Sequence, residues 1–228
     1  MNIIVTGASR GIGYETVKRL ARDGHTVIGT ARSQRPLEQL KAESPDRIDV
    51  HPADLTDENS LNALIGYIAD SISGVDVLVN NAGSLINKPF EKLKIGEWQK
   101  MIDVNLFSAV RLIRKLLPQF ADGAHIVNVS SMGGFQGSSK YPGLSAYSVS
   151  KGALATLAEC LAEEFSDRNI RVNALCLGAV ETEMFNEAFP GFEAPLTAEE
   201  MGAYLADFAV DGSNYYNGQV LPVALGNP

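Results

Sequence analysis

Tyr147 and Lys151 stand four residues apart in a stretch whose apolar residues recur with helical period. On a helix that spacing puts both side chains on one face. A phenol ionises near pH ~10, and an adjacent ammonium favours its ionised form. The pair therefore suits proton transfer near neutral pH. A half-buried aromatic with a satisfied hydroxyl is the plainer fate of such a tyrosine. Upstream, Ser130 and Ser131 end a short apolar run, where a hydroxyl can hydrogen-bond an oxygen that gains negative charge. Asn105 is a poor helix former in the middle of a helical stretch, so its side chain needs a polar reason to be there.

A second group of residues opens the chain. Thr6-Gly7-Ala8-Ser9-Arg10-Gly11-Ile12-Gly13 follows the β-branched run Ile3-Ile4-Val5 and leads into a helical pattern from Ile12 to Ala21. Strand, glycine turn and helix start in that order make a phosphate cradle. The glycines let the backbone come close to a ligand, and the free N–H groups of the helix N-terminus face its anion.

The elements that must position these residues alternate along the chain. Apolar, β-branched runs predict strands at Ile3–Val5, His25–Thr30, Ile48–Pro52, Val75–Val79, Ile126–Val129, Ile170–Leu177 and Gln219–Val223. The first helix ends at about Arg22, with Gly24 as its stop. A second carries Leu61, Leu64, Ile65, Ile68 and Ile72 on one face, capped by Asp57 or Thr56 and ended by Gly74. A long helix is predicted from Ile95 to Phe120, another from Ser145 to about Ser166, and a last one near Thr197 to Val210. Repeated βαβ order implies an α/β domain, a doubly wound Rossmann fold with a mainly parallel seven-stranded sheet and helices on both faces. Polar and glycine-rich pieces follow strands one, four, five and six, at the carboxyl edge where such sheets bind ligands.

The second strand ends in Ala31-Arg32-Ser33. In dinucleotide-binding sheets an acidic residue at that end holds the adenosine ribose of NAD. Ala31 stands there instead, with Arg32 beside it and Arg10 in the first turn. Guanidinium groups bind a 2′-phosphate that a carboxylate would repel, which favours NADP.

Composition narrows the class. The 228 residues, 45% of them apolar, fit one domain over 1–228 with a short lid near 181–196. A net charge of −8 argues against a nucleic-acid or anionic-membrane surface. Cys160 and Cys176 each lie in an apolar stretch and are expected to be buried, reduced thiols, with no disulfide and no metal site. No apolar run is long enough to span a membrane. Met1 and Asn2 leave no room for a signal peptide before the first strand, so a cytoplasmic protein is expected.

Taken together, these residues resemble the single-domain short-chain dehydrogenase/reductase family over nearly the whole chain. Thr6-Gly7-x-x-x-Gly11-x-Gly13 is similar to its cofactor turn, Asp54 to its adenine-binding aspartate, and Asn80-Asn81-Ala82-Gly83 to its strand-four motif. Asn105, Ser131, Tyr147 and Lys151 resemble its catalytic set. The family's serine is followed by two residues and a glycine, which selects Ser131 over Ser130. Tyr141 is no rival acid, since Ser145 stands where its lysine would be. The resemblance implies NADP(H) held by Gly7, Ser9, Arg10, Gly11, Ile12, Gly13, Arg32, Asp54, Leu55, Asn81, Ala82, Gly83, Tyr147, Lys151, Gly178, Val180 and Thr182. It implies hydride transfer to a ketone or aldehyde, or from a secondary alcohol, with Tyr147 as general acid/base and Ser131 on the carbonyl oxygen. It also gives Lys151 to the nicotinamide ribose and Asn105 to a water on the proton path. A homodimer or homotetramer is implied, built on the helices of Asn105 and Lys151, with Leu112, Leu116, Leu157 and Leu161 between subunits.

The chain departs from the family pattern in places. Leu177-Gly178 replaces the usual Pro-Gly, Ala224-Leu225-Gly226 replaces Asp-Gly-Gly, and the segment after Thr182 is short. Two other functions share parts of the pattern. Nucleotide-sugar epimerases have the Tyr/Lys pair, but with a different glycine spacing and a large C-terminal substrate domain. A non-catalytic NADP sensor tends to lose the tyrosine or the lysine, and both are present. Phe135, Tyr141, Phe185, Phe189 and Phe192 suggest an apolar pocket or lid. Glu181, Glu183, Glu187 and Glu193 cluster there with no basic residue among them, which disfavours a strongly anionic substrate.

Overall fold

Ile3, Ile4 and Val5 have no exposed surface, because their strand, β1 (Asn2–Thr6), is covered on both faces and paired on both edges. The computed structural model describes residues 1–225, so Gly226 of the divergent tail lies outside the described residues. Beside β1 run β2 (Thr26–Ala31) and β3 (Ile48–Pro52) on one side. On the other run β4 (Val75–Asn80), β5 (Phe120–Ser131), β6 (Arg171–Leu177) and β7 (Val220–Val223). The order is β3-β2-β1-β4-β5-β6-β7, and every pair is parallel. Strand order reverses between β1 and β4, which opens a crevice at their carboxyl ends.

The period-2 alternation of the strands divides the core in two. Ile4, Ile28, Leu78 and Ile126 face α3 (Glu58–Ser71), α5 (Ser108–Leu116) and α6 (Ser145–Glu164). Ile3, Val5, Val27 and Val127 face α1 (Gly11–Arg22), α2 (Gln34–Glu43) and α8 (Ala198–Asp211). Each fully buried aliphatic side chain contributes about 1.5–3 kcal/mol against solvent, so two such layers hold the sheet rigid beneath the crevice. Asp57, not Thr56, caps α3, accepting from Ser60 N at 2.8 Å.

Several elements differ from the sequence reading. The helix expected over Ile95–Phe120 is α4 (Ile95–Ile102), a π-helical turn over Asp103–Phe107, and α5, which stops at Leu116. Phe120 already belongs to β5, which is far longer than Ile126–Val129. The helix α2 was not expected, because only Leu37 and Leu40 are buried on it and so short an apolar face gives little period. The 181–196 segment holds one short helix, α7 (Glu183–Ala188), capped by Thr182. Cys176 is buried, but Cys160 is exposed on the outer face of α6. Leu112 and Leu116 have no exposed surface and belong to the subunit's own core, so neither can pack between subunits.

Candidate active site

The crevice is a cleft of about 1010 Å³ running along the carboxyl edge of the sheet. Its floor at the switch point is tied by Thr6 and Asn81. The Thr6 hydroxyl accepts from Asn81 N at 3.0 Å and Ala82 N at 2.9 Å, and Asn81 Nδ2 donates to Thr6 O at 3.0 Å. Thr6 thus locks the ends of β1 and β4 together. Its role was not legible, since one threonine at a strand end carries no period or charge signal.

Gly7, Ser9, Arg10, Gly11 and Ile12 line one end of the cleft. Gly7 and Gly11 have φ of +69° and +58°, which only glycine adopts without strain. Gly13 does not line the cleft. A Cβ there would sit 2.4 Å from Asn81 Nδ2 and 2.5 Å from Gly7 O, so its place is close packing of helix on turn. The first turn of α1 has no side-chain cap and no acidic residue, which leaves its N–H groups to an outside anion. Arg32, Asp54 and Leu55 continue the wall. Asp54 accepts from Thr56 N at 2.9 Å and Thr56 Oγ1 at 2.7 Å, and these bonds, with nearby Arg32, hold its carboxyl below the usual range. The turn, the open helix end and a free face of Asp54 fit an adenine dinucleotide. Arg10 is not free. It bonds Glu183 and lies 3.8 Å from Glu187, so the acidic segment does have a basic partner, brought from the other end of the chain.

Asn81, Ala82 and Gly83 line the middle, and Gly178, Val180 and Thr182 face them from beyond β6. Ser131, Tyr147 and Lys151 meet at the far end. Gly134 lets them meet, because a Cβ there would lie 2.4 Å from Gly152 N on α6. The turn after β5 therefore rests directly on the helix that carries Tyr147 and Lys151. The two serines separate clearly. Both border the cleft, but Ser130 is buried and donates its hydroxyl to Lys151 O at 2.7 Å, joining β5 to α6, whereas Ser131 is partly exposed and accepts from Gly133 N at 3.2 Å.

Burial pushes the Tyr147 phenol above its usual range, and the Ser131 hydroxyl partly offsets this. The expected lowering by Lys151 is absent. Lys151 is 4% exposed, donates to Val129 O at 2.7 Å, and is itself pushed down to about 8 by burial. Asn105 sits behind the cleft wall. Its amide donates to Ser84 O at 2.9 Å and Ser150 Oγ at 2.8 Å, and its carbonyl accepts from Ser84 N at 2.7 Å. These bonds are the polar reason for an asparagine in that helix. Ser84 and Ser150 were not singled out in the sequence, where isolated serines carry no distinguishing pattern.

One part of the cleft is largely aromatic, with Glu183 and Glu193 also bordering it. Tyr141, Phe185, Phe189 and Phe192 line it, with Phe185 and Phe189 ring centroids 5.2 Å apart. Phe135 instead packs on the core beneath α6. Among the described residues no cluster of metal-ligating side chains occurs, and no helix is long and apolar enough to cross a membrane.

The family described as short chain dehydrogenase matches residues 1–191. The chain is 31% identical to the 3-oxoacyl-(acyl-carrier-protein) reductase FabG of Thermotoga maritima, over 96% of this chain and 94% of that protein. It is 32% identical to a fatty acyl-CoA reductase of Acinetobacter baylyi, over 91% and 72%. It is 31% identical to 3beta-hydroxysteroid dehydrogenase 1 of Eggerthella lenta, over 96% and 90%. Among solved structures, a short chain dehydrogenase/reductase family protein superposes with a TM-score of 0.86 at 28% identity, covering 98% of this chain and 95% of that one. A Serratia marcescens short-chain dehydrogenase/reductase mutant gives 0.87 at 27% identity, over 97% and 95%. With this sheet order, this cleft and these matches, the chain belongs to the short-chain dehydrogenase/reductase family of oxidoreductases, whose members use a nicotinamide cofactor.

Proposed function

We propose that this single domain reduces an uncharged, largely apolar ketone or aldehyde with NADPH, or oxidises the corresponding secondary alcohol with NADP. The observation that carries this reading is the meeting of Ser131, Tyr147 and Lys151 in one cleft with the glycine turn and with Arg10 and Arg32. Gly7, Ser9, Gly11, Ile12, Asp54, Leu55 and Asn81–Gly83 would hold the cofactor, with Gly178, Val180 and Thr182 opposite and Gly13 supporting the turn from behind. When bound, the nicotinamide supplies the hydride. Tyr147 gives its proton to the carbonyl oxygen, and Ser131 donates a hydrogen bond to that oxygen as it gains charge. The ammonium of Lys151, turned from Val129 O towards the cleft, would stabilise the phenolate left behind. Asn105 acts as a positioning residue, fixing Ser84 and Ser150 around Lys151. The 181–196 segment serves as a short lid over the aromatic part of the cleft.

The cofactor choice rests on Ala31 at the acidic position with two arginines in reach. Replacing Ala31 by Asp and Arg32 by Ser is expected to reverse the preference between NADPH and NADH, read as kcat/KM for each on a carbonyl found by screening. An unmodified enzyme that uses NADH as well as NADPH would refute the assignment.

A further inference from the structure

Arg10 already carries two carboxylates. It bonds Glu183 directly, and Glu187 lies 3.8 Å away, both on α7. Asn87 holds the C-terminal end of the same helix, donating to Ala188 O at 2.9 Å. Arg10, Arg32 and Glu187 also share a polar hollow of about 360 Å³ beside the main cleft. The cations suited to a ribose phosphate and the carboxylates of the lid thus occupy one small space.

We propose that Arg10 is shared between lid and cofactor: Glu183 and Glu187 hold it in the free enzyme, and a 2′-phosphate displaces them. These two glutamates then set the phosphate selectivity of the site, and the phosphate, by taking Arg10, frees one end of the lid. The inference rests on the NADP(H) reading above. Both carboxylates approach Arg10 through the same nitrogen, Nη1, and a phosphate gripping the end of the guanidinium bidentately needs that nitrogen too. Both ligands cannot hold the same face at once. The side chains of Arg10, Glu183 and Glu187 are 49%, 67% and 72% exposed, so each ion pair is weak and the exchange is reversible. Linkage makes the effect reciprocal: whatever the lid carboxylates cost the phosphate, the phosphate costs the docked lid.

The test is a double-mutant cycle with NADP and NAD, which differ only in the phosphate, binding measured by calorimetry. Glu183→Gln with Glu187→Gln is expected to tighten NADP by about threefold to tenfold and to leave NAD nearly unchanged. In an Arg10→Ala background most of that gain should vanish. Plain repulsion between carboxylates and phosphate would leave the gain intact there, and that result overturns the proposal while the cofactor reading stands. Arg10→Ala that fails to weaken NADP relative to NAD would overturn the cofactor reading and this inference with it. Hydrogen exchange gives the second readout. Amides of α7 should exchange faster with NADP bound than with NAD bound, and equal rates would refute the release of the lid. All three positions are exposed, and each variant's fold is checked by its circular dichroism.

Discussion

Lys151 is the residue whose chemistry most conflicts with its surroundings. It is 4% exposed, and burial brings its pKa from 10.5 to about 8. The folded protein therefore holds this proton less tightly than the unfolded chain does. The contribution of Lys151 to stability is least favourable below about pH 8 and improves as the pH climbs towards 10.5, where both states have lost the proton. The cost of the buried ammonium at pH ~7 is on the order of 3 kcal/mol. Lys151→Met should therefore raise the melting temperature at neutral pH while abolishing turnover, and its advantage should shrink in alkali. A variant that melts below the wild type at neutral pH would refute this. That Tyr147, Lys151 and Ser131 share one cleft was legible because spacing and order are sequence properties. The direction of the Tyr147 shift was not. It depends on how much water the folded cleft excludes, and burial is the main cause of the shift at both groups.

At the scale of elements, the strands were legible because buried parallel strands read as continuous apolar runs. The break in the α4–α5 helix was not. A π turn adds one residue without a glycine or proline to mark it, and the apolar positions resume beyond it. Asn105 was the one sign, a polar residue where the helix wanted none. It bonds both backbone groups of Ser84 and so fixes the loop after β4 against the π turn. Asn105→Ala is expected to cost about 1–3 kcal/mol for the buried groups left unpaired, measured by urea unfolding. It should also lower kcat, because Ser84 and Ser150 lose their common tether. Unchanged stability would show that water replaces the amide. The pairing of Arg10 with α7 was illegible for a different reason: 173 residues separate the partners, and no local pattern spans that distance.

For the whole molecule, the parallel seven-stranded sheet and the edge that carries the cleft followed from the alternation of strands and helices, while the surface did not. Leu112 and Leu116 proved to be core, yet Ile95 on α4, Phe107 in the π turn and Val149 on α6 are 73%, 44% and 52% exposed. In a homo-oligomer built on these helices they would take the place of the two leucines expected from the sequence, and light scattering should give at least a dimer mass at micromolar concentration. A monomer under those conditions would contradict it. The central claim is narrower: the whole fold serves to bring one phenol to a carbonyl oxygen. The measurement that meets it most directly is NADPH consumption by the wild type and by Tyr147→Phe on the best carbonyl found. Tyr147→Phe removes one oxygen and almost no volume, so fold and NADPH affinity should persist while turnover falls by at least ~10²–10⁴. Near-normal turnover by a properly folded Tyr147→Phe enzyme would mean that the proton comes from another group, and the account would be wrong.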